Sequence, residues 1–339
     1  MSNCTILNNN LAIVIPAVKP DFLIKALNSL VEQTNQHFCV YVDDDASPEN
    51  IREIVESYTG SLTINYHRFE HNLGKTDLVA QWQRCVELLN NETWFCLFSD
   101  DDIMSPECIQ EFYNALNITK SAFDVYRFDI AVIDGNDNIV TICPKAPEHE
   151  STAKMAYQLL LGNRGNSMPE HFFKRDEFLR KGGFVNFPSG QASDWATSIL
   201  HGKDKGIYTI PGPLVYWRRS KINTSATAYK NKAKSFVGHL SFIKWLSAFF
   251  SEKELLTNGI TKDDFSHALK QNLINVTRDH YRGFPLSLLL KTARVMHTLF
   301  SISIVKAITI ILKLNLAIKI KKTYIATRKS LHLKDYSAT

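Results

Sequence analysis

The chain has 339 residues, 45% of them apolar and 22% charged, with a formal net charge of +5. This composition excludes a disordered or collagen-like chain and leaves room for one large domain or two smaller ones. The six cysteines (Cys4, Cys39, Cys85, Cys96, Cys108, Cys143) contain no CxxC pair and no His cluster stands at metal-ligand spacing, so a reducing compartment is expected and a zinc-type centre is not.

The opening MSNCTILNNN lacks a charged start followed by a long apolar core, and LAIVI stops at Pro16, so no cleaved leader is expected. LAIVIP reads as a first strand, and PDFLIKALNSLVEQT follows with Phe22, Leu23, Ala26, Leu27, Leu30 and Val31 at helical spacing. FCVYV is the next strand, PENIREIVESY the next helix and LTINYHR a third strand. A helix carrying Leu78, Val79, Trp82, Val86 and Leu89 then leads into the strand WFCLF. Repeated βα units imply a mostly parallel sheet, whose ligands gather beyond the carboxyl ends of its strands. Past Pro106 a helix runs through ECIQEFYNAL, and FDVYRFDIAVIDGNDNIVTI reads as two extended segments around an Asp-Gly turn. Residues 144–235, broken by glycine, proline and polar runs, read as an irregular substrate-facing lobe; FVGHLSFIKWLSAFF opens a helical C-terminal region.

Two of the strand ends are acidic: Asp43 to Asp45 in VDDDASPEN, and Asp100 to Asp102 in LFSDDDIMSP. Three adjacent carboxylates need solvent, cations or a metal to offset their repulsion. Mg²⁺ and Mn²⁺ favour carboxylate and phosphate oxygens, and typically take one or two protein carboxylates while a diphosphate fills further positions. No GxGxxG or Walker loop is present, which leaves nucleotide-sugar binding as the use that fits.

The order LAIVIP, VDDDAS, HNLGK, LFSDDDIMSP, GGF and SDWATSI, over roughly residues 11–225, resembles glycosyltransferase family 2, the inverting enzymes of GT-A fold. The resemblance implies an α/β GT-A nucleotide-sugar-binding fold with a mostly parallel central sheet, plus a C-terminal helical region. It divides the chain into a donor-binding half (1–115), an acceptor-binding half of the same catalytic domain (116–230) and a basic helical region (231–339). By this resemblance Pro16 and Asp44 or Asp45 line the base and ribose pocket, and Asn72, Gly74 and Lys75 lie against the nucleotide. Asp100 contacts ribose or sugar, and Asp101 and Asp102 hold Mn²⁺ or Mg²⁺. Arg218 and Arg219, in VYWRRSKINTSAT, pair with diphosphate oxygens, as guanidinium geometry suits. Asp194 is the base that takes the acceptor proton. EHFFKRDEF fits the acceptor-side strand, which raises Glu170 and His171 without carrying either forward.

Two positions depart from the family pattern: Ser99 stands where the first DxD aspartate is usual, and Ser193 replaces the Glu of a Glu-Asp pair. Plainer readings compete with these roles. The triplet can be a solvated acidic turn, Lys75 a solvated lysine, and Asp194 a helix-start acid favoured by the dipole.

From Val295 to Leu312 the sequence VMHTLFSISIVKAITIIL is interrupted by His297 and Lys306 and followed by frequent lysines. An interfacial helix on an anionic membrane surface explains apolarity and charge together; packing on the catalytic domain and a true span are the alternatives. Nucleic acid is not expected, because the basic residues interleave with aliphatics rather than stacking aromatics. The expected function is metal-dependent transfer from a nucleotide sugar, with a UDP-sugar the leading donor, to a lipid-linked or oligosaccharide acceptor in surface polysaccharide synthesis. The expected place is cytoplasmic, peripheral on the inner membrane face. A sugar nucleotidyltransferase, or a non-catalytic nucleotide-sugar-binding module recruiting partners, is the rival reading.

Overall fold

A computed structural model describes residues 10–220, 232–280 and 285–314. Strands β1 (Leu11–Ala17), β2 (Cys39–Asp44), β3 (Ile64–Arg68) and β4 (Trp94–Leu97) run parallel in the order β3-β2-β1-β4. β1, β2 and β4 read as continuous apolar runs because both faces are covered. Ala12, Val14, Cys39 and Tyr41 face α3 (Leu78–Val86), whereas Leu11, Ile13, Ile15, Val40 and Val42 face α1 (Leu23–Val31) and α2 (Ile51–Glu56). Asn50 caps α2 and Asp77 caps α3, each accepting the backbone N–H three residues on, which fixes where the chain leaves the sheet.

Beyond α4 (Cys108–Ile118) the sheet continues through β6 (Val125–Ile133), with β7 (Ile139–Ile142) folded back on it as a hairpin. β9 (His171–Lys174) enters antiparallel between β4 and β6. β10 (Ile207–Arg218) runs parallel to β6, with the short strands β5 (Ile103–Met104) and β8 (His149–Glu150) on its other edge. The result is a ten-stranded, mostly parallel sheet with helices on both faces.

The irregular lobe expected over residues 144–235 is instead ordered through residue 220. It holds β8, α5 (Thr152–Leu161), β9, α6 (Arg175–Arg180), α7 (Ser193–His201) and β10. Its elements are short and stop at left-handed glycines (Gly162, Gly182 and Gly183), which is why no long period appears in the sequence. β10 is masked by Pro211-Gly212-Pro213, where its register with β6 shifts between Ile210 and Leu214.

The C-terminal region is α8 (Lys232–Phe249), α9 (Glu252–Thr257), α10 (Lys262–His280) and α11 (Leu286–Phe300). Ser301 turns the chain in the left-handed region (φ 53°), and residues 304–314 are helical again. The Val295–Leu312 run is therefore two helical pieces, and among the described residues no helix is long and apolar enough to cross a membrane. The break bears on the span, which was only an alternative to the expected interfacial helix. Much of the run's apolar surface goes to packing: Val295, Met296, Ile302, Ala307 and Ile311 join Phe236, Leu240 and Leu273 in a shared core. Leu286, Val305 and Leu312 remain exposed. Lys319, Lys321, Lys322, Arg328, Lys329 and Lys334 lie outside the described residues.

α8 also packs on the 3₁₀ turn Pro188–Gly190, which precedes α7. Gly238 makes this possible, since a Cβ there would sit 2.2 Å from the Pro188 carbonyl oxygen.

Candidate active site

The acidic triplet occupies the turn between β4 and β5, at the carboxyl edge of the parallel strands. Asp100 Oδ2 accepts the backbone N–H groups of Val18 (3.0 Å) and Lys19 (3.1 Å), in the loop leaving β1. The Lys19 ammonium stands 4.0 Å from Asp100 Oδ1 and 3.6 Å from Asp101 Oδ2. Asp102 Oδ1 accepts the N–H of Arg218 (2.7 Å) at the end of β10. Arg218 is wholly buried: its Nε donates to the Asp101 carbonyl (2.7 Å), a terminal nitrogen donates to the Asp134 carbonyl (2.8 Å) and pairs with Asp137 (2.5 Å), and its plane covers the Phe22 ring. Arg218 thus locks the triplet's backbone to the β6–β7 turn, while Arg219 beside it is exposed.

Burial raises the pKa of all three aspartates. Asp100 is pushed up to about 6, with Lys19 opposing burial and Asp101 adding to it. Asp101 is raised by burial against Lys19, and Asp102 well above the carboxylate range by burial and then by the charge of Asp101. Asp101 Oδ2 and Asp102 Oδ2 are buried without a hydrogen-bond partner. Two buried, hard oxygen donors without hydrogen-bond partners, one of them facing the Lys19 ammonium, fit Mg²⁺ or Mn²⁺. Among the described residues no group of three or more His, Cys, Asp or Glu is placed to hold a metal ion.

At the end of β2 the aspartates divide their work. Asp44 Oδ1 accepts the Ser47 N–H (2.7 Å), and its Oδ2 accepts the Tyr66 hydroxyl (2.6 Å) and pairs with Arg68. Asp45 accepts the N–H groups of Leu73 (2.8 Å) and Gly74 (2.9 Å) and pairs with Arg84 (2.6 Å). Asp45 therefore ties down the Asn72–Lys75 turn, in which Asn72 Oδ1 accepts the Lys75 N–H (2.9 Å) and the Lys75 side chain is exposed. Ala46, next in the chain, holds a left-handed backbone (φ 51°) at a cost of roughly 1–3 kcal/mol. Asp43, noted in the sequence as part of the acidic strand end but given no role of its own, stands opposite Pro16 in the β1–β2 register. Its buried Oδ2 has no hydrogen-bond partner, and burial pushes the group up to about 7.

Asp194 is in the first turn of α7, behind a loop in which Ser189 (φ 63°) and Ala192 (φ 58°) are both left-handed. Its Oδ1 accepts the N–H of Trp195 (2.9 Å), and the Trp195 indole N–H donates to the Asn166 carbonyl (3.2 Å). Burial, with a further push from Glu170, lifts Asp194 to about 7. Glu170 is fully buried and accepts the N–H (2.7 Å) and hydroxyl (2.6 Å) of Ser167, with Arg127 at 3.7 Å and His171 at 3.6 Å. Burial opposes its ionisation, yet His171, Arg127 and Ser167 together hold it below the usual range. Because burial pushes His171 down to about 4, the imidazole is neutral at pH 7, and Arg127 is the lasting cation of this group.

The charge of Glu170 adds, behind burial, to the raised pKa of both Asp102 and Asp194. Lys19, Arg127 and Glu170 are the residues the sequence reading missed or left aside. Arg127 had a signal, as a lone basic residue inside the buried strand VYRFDIAVI; Lys19 had only its place just after the first strand.

Residues 12–177 match the family profile of "Glycosyl transferase family 2". An "Uncharacterized glycosyltransferase" of Haemophilus influenzae is 25% identical over 223 residues, 64% of this chain and 72% of that one. Among solved structures, S. aureus TarS 1-349 in complex with UDP-GlcNAc superposes with a TM-score of 0.57 at 15% identity, covering 91% of this chain and 92% of that one. Mannosyltransferase PcManGT from Pyrobaculum calidifontis, in complex with GDP-Man and Mn²⁺, gives 0.51 at 14% identity, covering 93% and 87%.

Proposed function

Because this chain is a family 2 glycosyltransferase of GT-A fold, we propose that it moves a sugar, with inversion, from a nucleotide-sugar donor to a hydroxyl of a lipid-linked glycan in surface polysaccharide synthesis. The carrying observation is the buried Asp101–Asp102 pair at the carboxyl edge of the parallel strands, with Asp102 Oδ2 unpartnered; Asp194, a carboxyl lifted to about 7, supports the second half of the reading.

Asp194 takes the proton of the acceptor hydroxyl as that oxygen attacks the anomeric carbon, and a carboxyl that titrates near pH 7 suits this task. The Trp195 backbone N–H on the Asp194 carboxylate and the Ser198 hydroxyl on the Asp194 carbonyl keep α7's first turn in place while the proton moves. The base and ribose lie along Pro16, Asp43 and Asp44, and the Asn72–Lys75 turn, tied by Asp45, closes beside them. Asp100 orients the ribose or sugar and Arg219 meets the diphosphate. Arg218 acts from beneath, holding Asp101 and Asp102 in place. Asp101 and Asp102 would hold Mn²⁺ or Mg²⁺. Such an ion supplies charge neutralisation to the departing nucleoside diphosphate. UDP-sugars lead as donors because TarS is bound to UDP-GlcNAc, with GDP-Man the alternative drawn from PcManGT.

Exposed Leu286, Val305 and Leu312, on the helices that precede the basic tail, support docking on an anionic membrane surface, at the inner face of the cell membrane.

The test is thermal stability of the full chain with UDP, GDP, TDP or CMP, each with Mn²⁺ or chelator. Binding to the folded state at a hundredfold over Kd stabilises by about 2.7 kcal/mol. One nucleotide should stabilise the chain with Mn²⁺, and Asp101→Ala should abolish the effect. No stabilisation by any nucleotide under either condition refutes the donor site.

A further inference from the structure

We infer that Lys19 is the chain's own counter-cation for Asp100 and Asp101, and that a divalent ion must displace it to reach the site. The inference rests on the donor-site reading above. Lys19 is bound to the triplet twice, by its backbone N–H to Asp100 (3.1 Å) and by an ammonium reaching both Asp100 (4.0 Å) and Asp101 (3.6 Å). The backbone bond fixes where the side chain starts, so the ammonium stays near the cluster even when its ion pairs break. Arg218, the other cation facing the triplet among the described residues, is wholly buried and bonded to Asp137 and to two carbonyls, so it cannot move aside. Lys19 can, because about a quarter of its side chain is accessible (24%).

An ammonium 3.6 Å from Asp101 Oδ2 and a divalent ion on the same oxygen repel each other. Lys19 therefore offsets part of the carboxylate charge from within, and metal entry would release it at the edge where a diphosphate would lie. A nucleoside diphosphate then favours metal binding twice over: by ligating the ion, and by giving the freed lysine a new anionic partner.

The experiment titrates Mn²⁺ alone into the full-length protein and measures free Mn²⁺ by its EPR signal, for wild type, Lys19→Met and Lys19→Arg. Lys19→Met should bind Mn²⁺ about tenfold more tightly than wild type, equivalent to ~1.4 kcal/mol, and Lys19→Arg should stay within twofold of wild type. The gain should vanish in the double variant Lys19→Met, Asp101→Asn. Lys19→Met binding no tighter than wild type overturns the inference, as does undetectable Mn²⁺ binding by both. UDP and GDP thermal shifts on the same samples separate the two ideas. Shifts that persist beside an unchanged Mn²⁺ affinity sink the Lys19 role alone, and loss of both sinks the donor site with it.

Discussion

Replacing Asp194 by Asn should abolish transfer and make the protein more stable, with a gain that depends on pH. Burial first, and Glu170 second, lift Asp194 from 3.8 to about 7. Between those values the folded chain holds a proton that the unfolded chain has lost, so stability falls as pH rises through the window and stays low above it. At about 1.36 kcal/mol per unit, ionising this partly buried carboxyl costs the fold at most about 4 kcal/mol at pH 8. Asn carries no such cost, and its carbonyl can still accept the Trp195 N–H, but its amide adds two donors that need partners, a loss of roughly 1–2 kcal/mol. Urea unfolding should show Asp194→Asn more stable than wild type by about 2 kcal/mol at pH 8 and less stable below pH 5. Asp43 and Asp100 contribute slopes of the same sign, so the difference between variant and wild type isolates Asp194. A difference that is flat from pH 4 to 8 refutes the reasoning.

In wild type, transfer should rise about tenfold between pH 6 and pH 8, as a base titrating near 7 ionises, read from initial rates at saturating donor and acceptor. A Cβ on Gly74 would lie 2.7 Å from Asp45 Oδ2, an oxygen already bonded to the Gly74 N–H. Gly74→Ala should therefore shift the turn and weaken nucleotide affinity by roughly fivefold (~1 kcal/mol), measured by calorimetry, with little change in melting temperature. Arg218→Leu keeps the backbone bond to Asp102 and leaves Lys25 on Asp137, but it strips the Asp101 and Asp134 carbonyls of their guanidinium donor and should destabilise by roughly 1–3 kcal/mol in denaturant unfolding. Sedimentation with anionic vesicles should capture the full chain at low salt, release it at high salt, and fail for the double variant Leu286→Asp, Val305→Asp.

The parallel half of the sheet was legible because a strand buried on both faces must be apolar throughout, as in LAIVI and WFCLF. The two acidic strand ends followed from position alone, since a parallel sheet brings its carboxyl ends together. The half around β9 and β10 was not legible. β9 has four residues, and its antiparallel place between β4 and β6 depends on partners far away in sequence. Arg218 shows a different limit: guanidinium chemistry suggested a phosphate, but burial commits the side chain to Asp137 and the backbone of the triplet. Charge identifies what a residue can bind, and only packing decides what remains free to be bound.

The seating of Gly238 of α8 against the Pro188 carbonyl puts the C-terminal helices in direct contact with the loop that delivers Asp194. The helical region is thus no detachable tether for a self-sufficient catalytic unit. Force applied to those helices, by a docking surface or by a truncation, acts as a lever on the loop that carries the proposed base, and shortened versions of the chain ending before residue 232 lose a strut rather than an ornament.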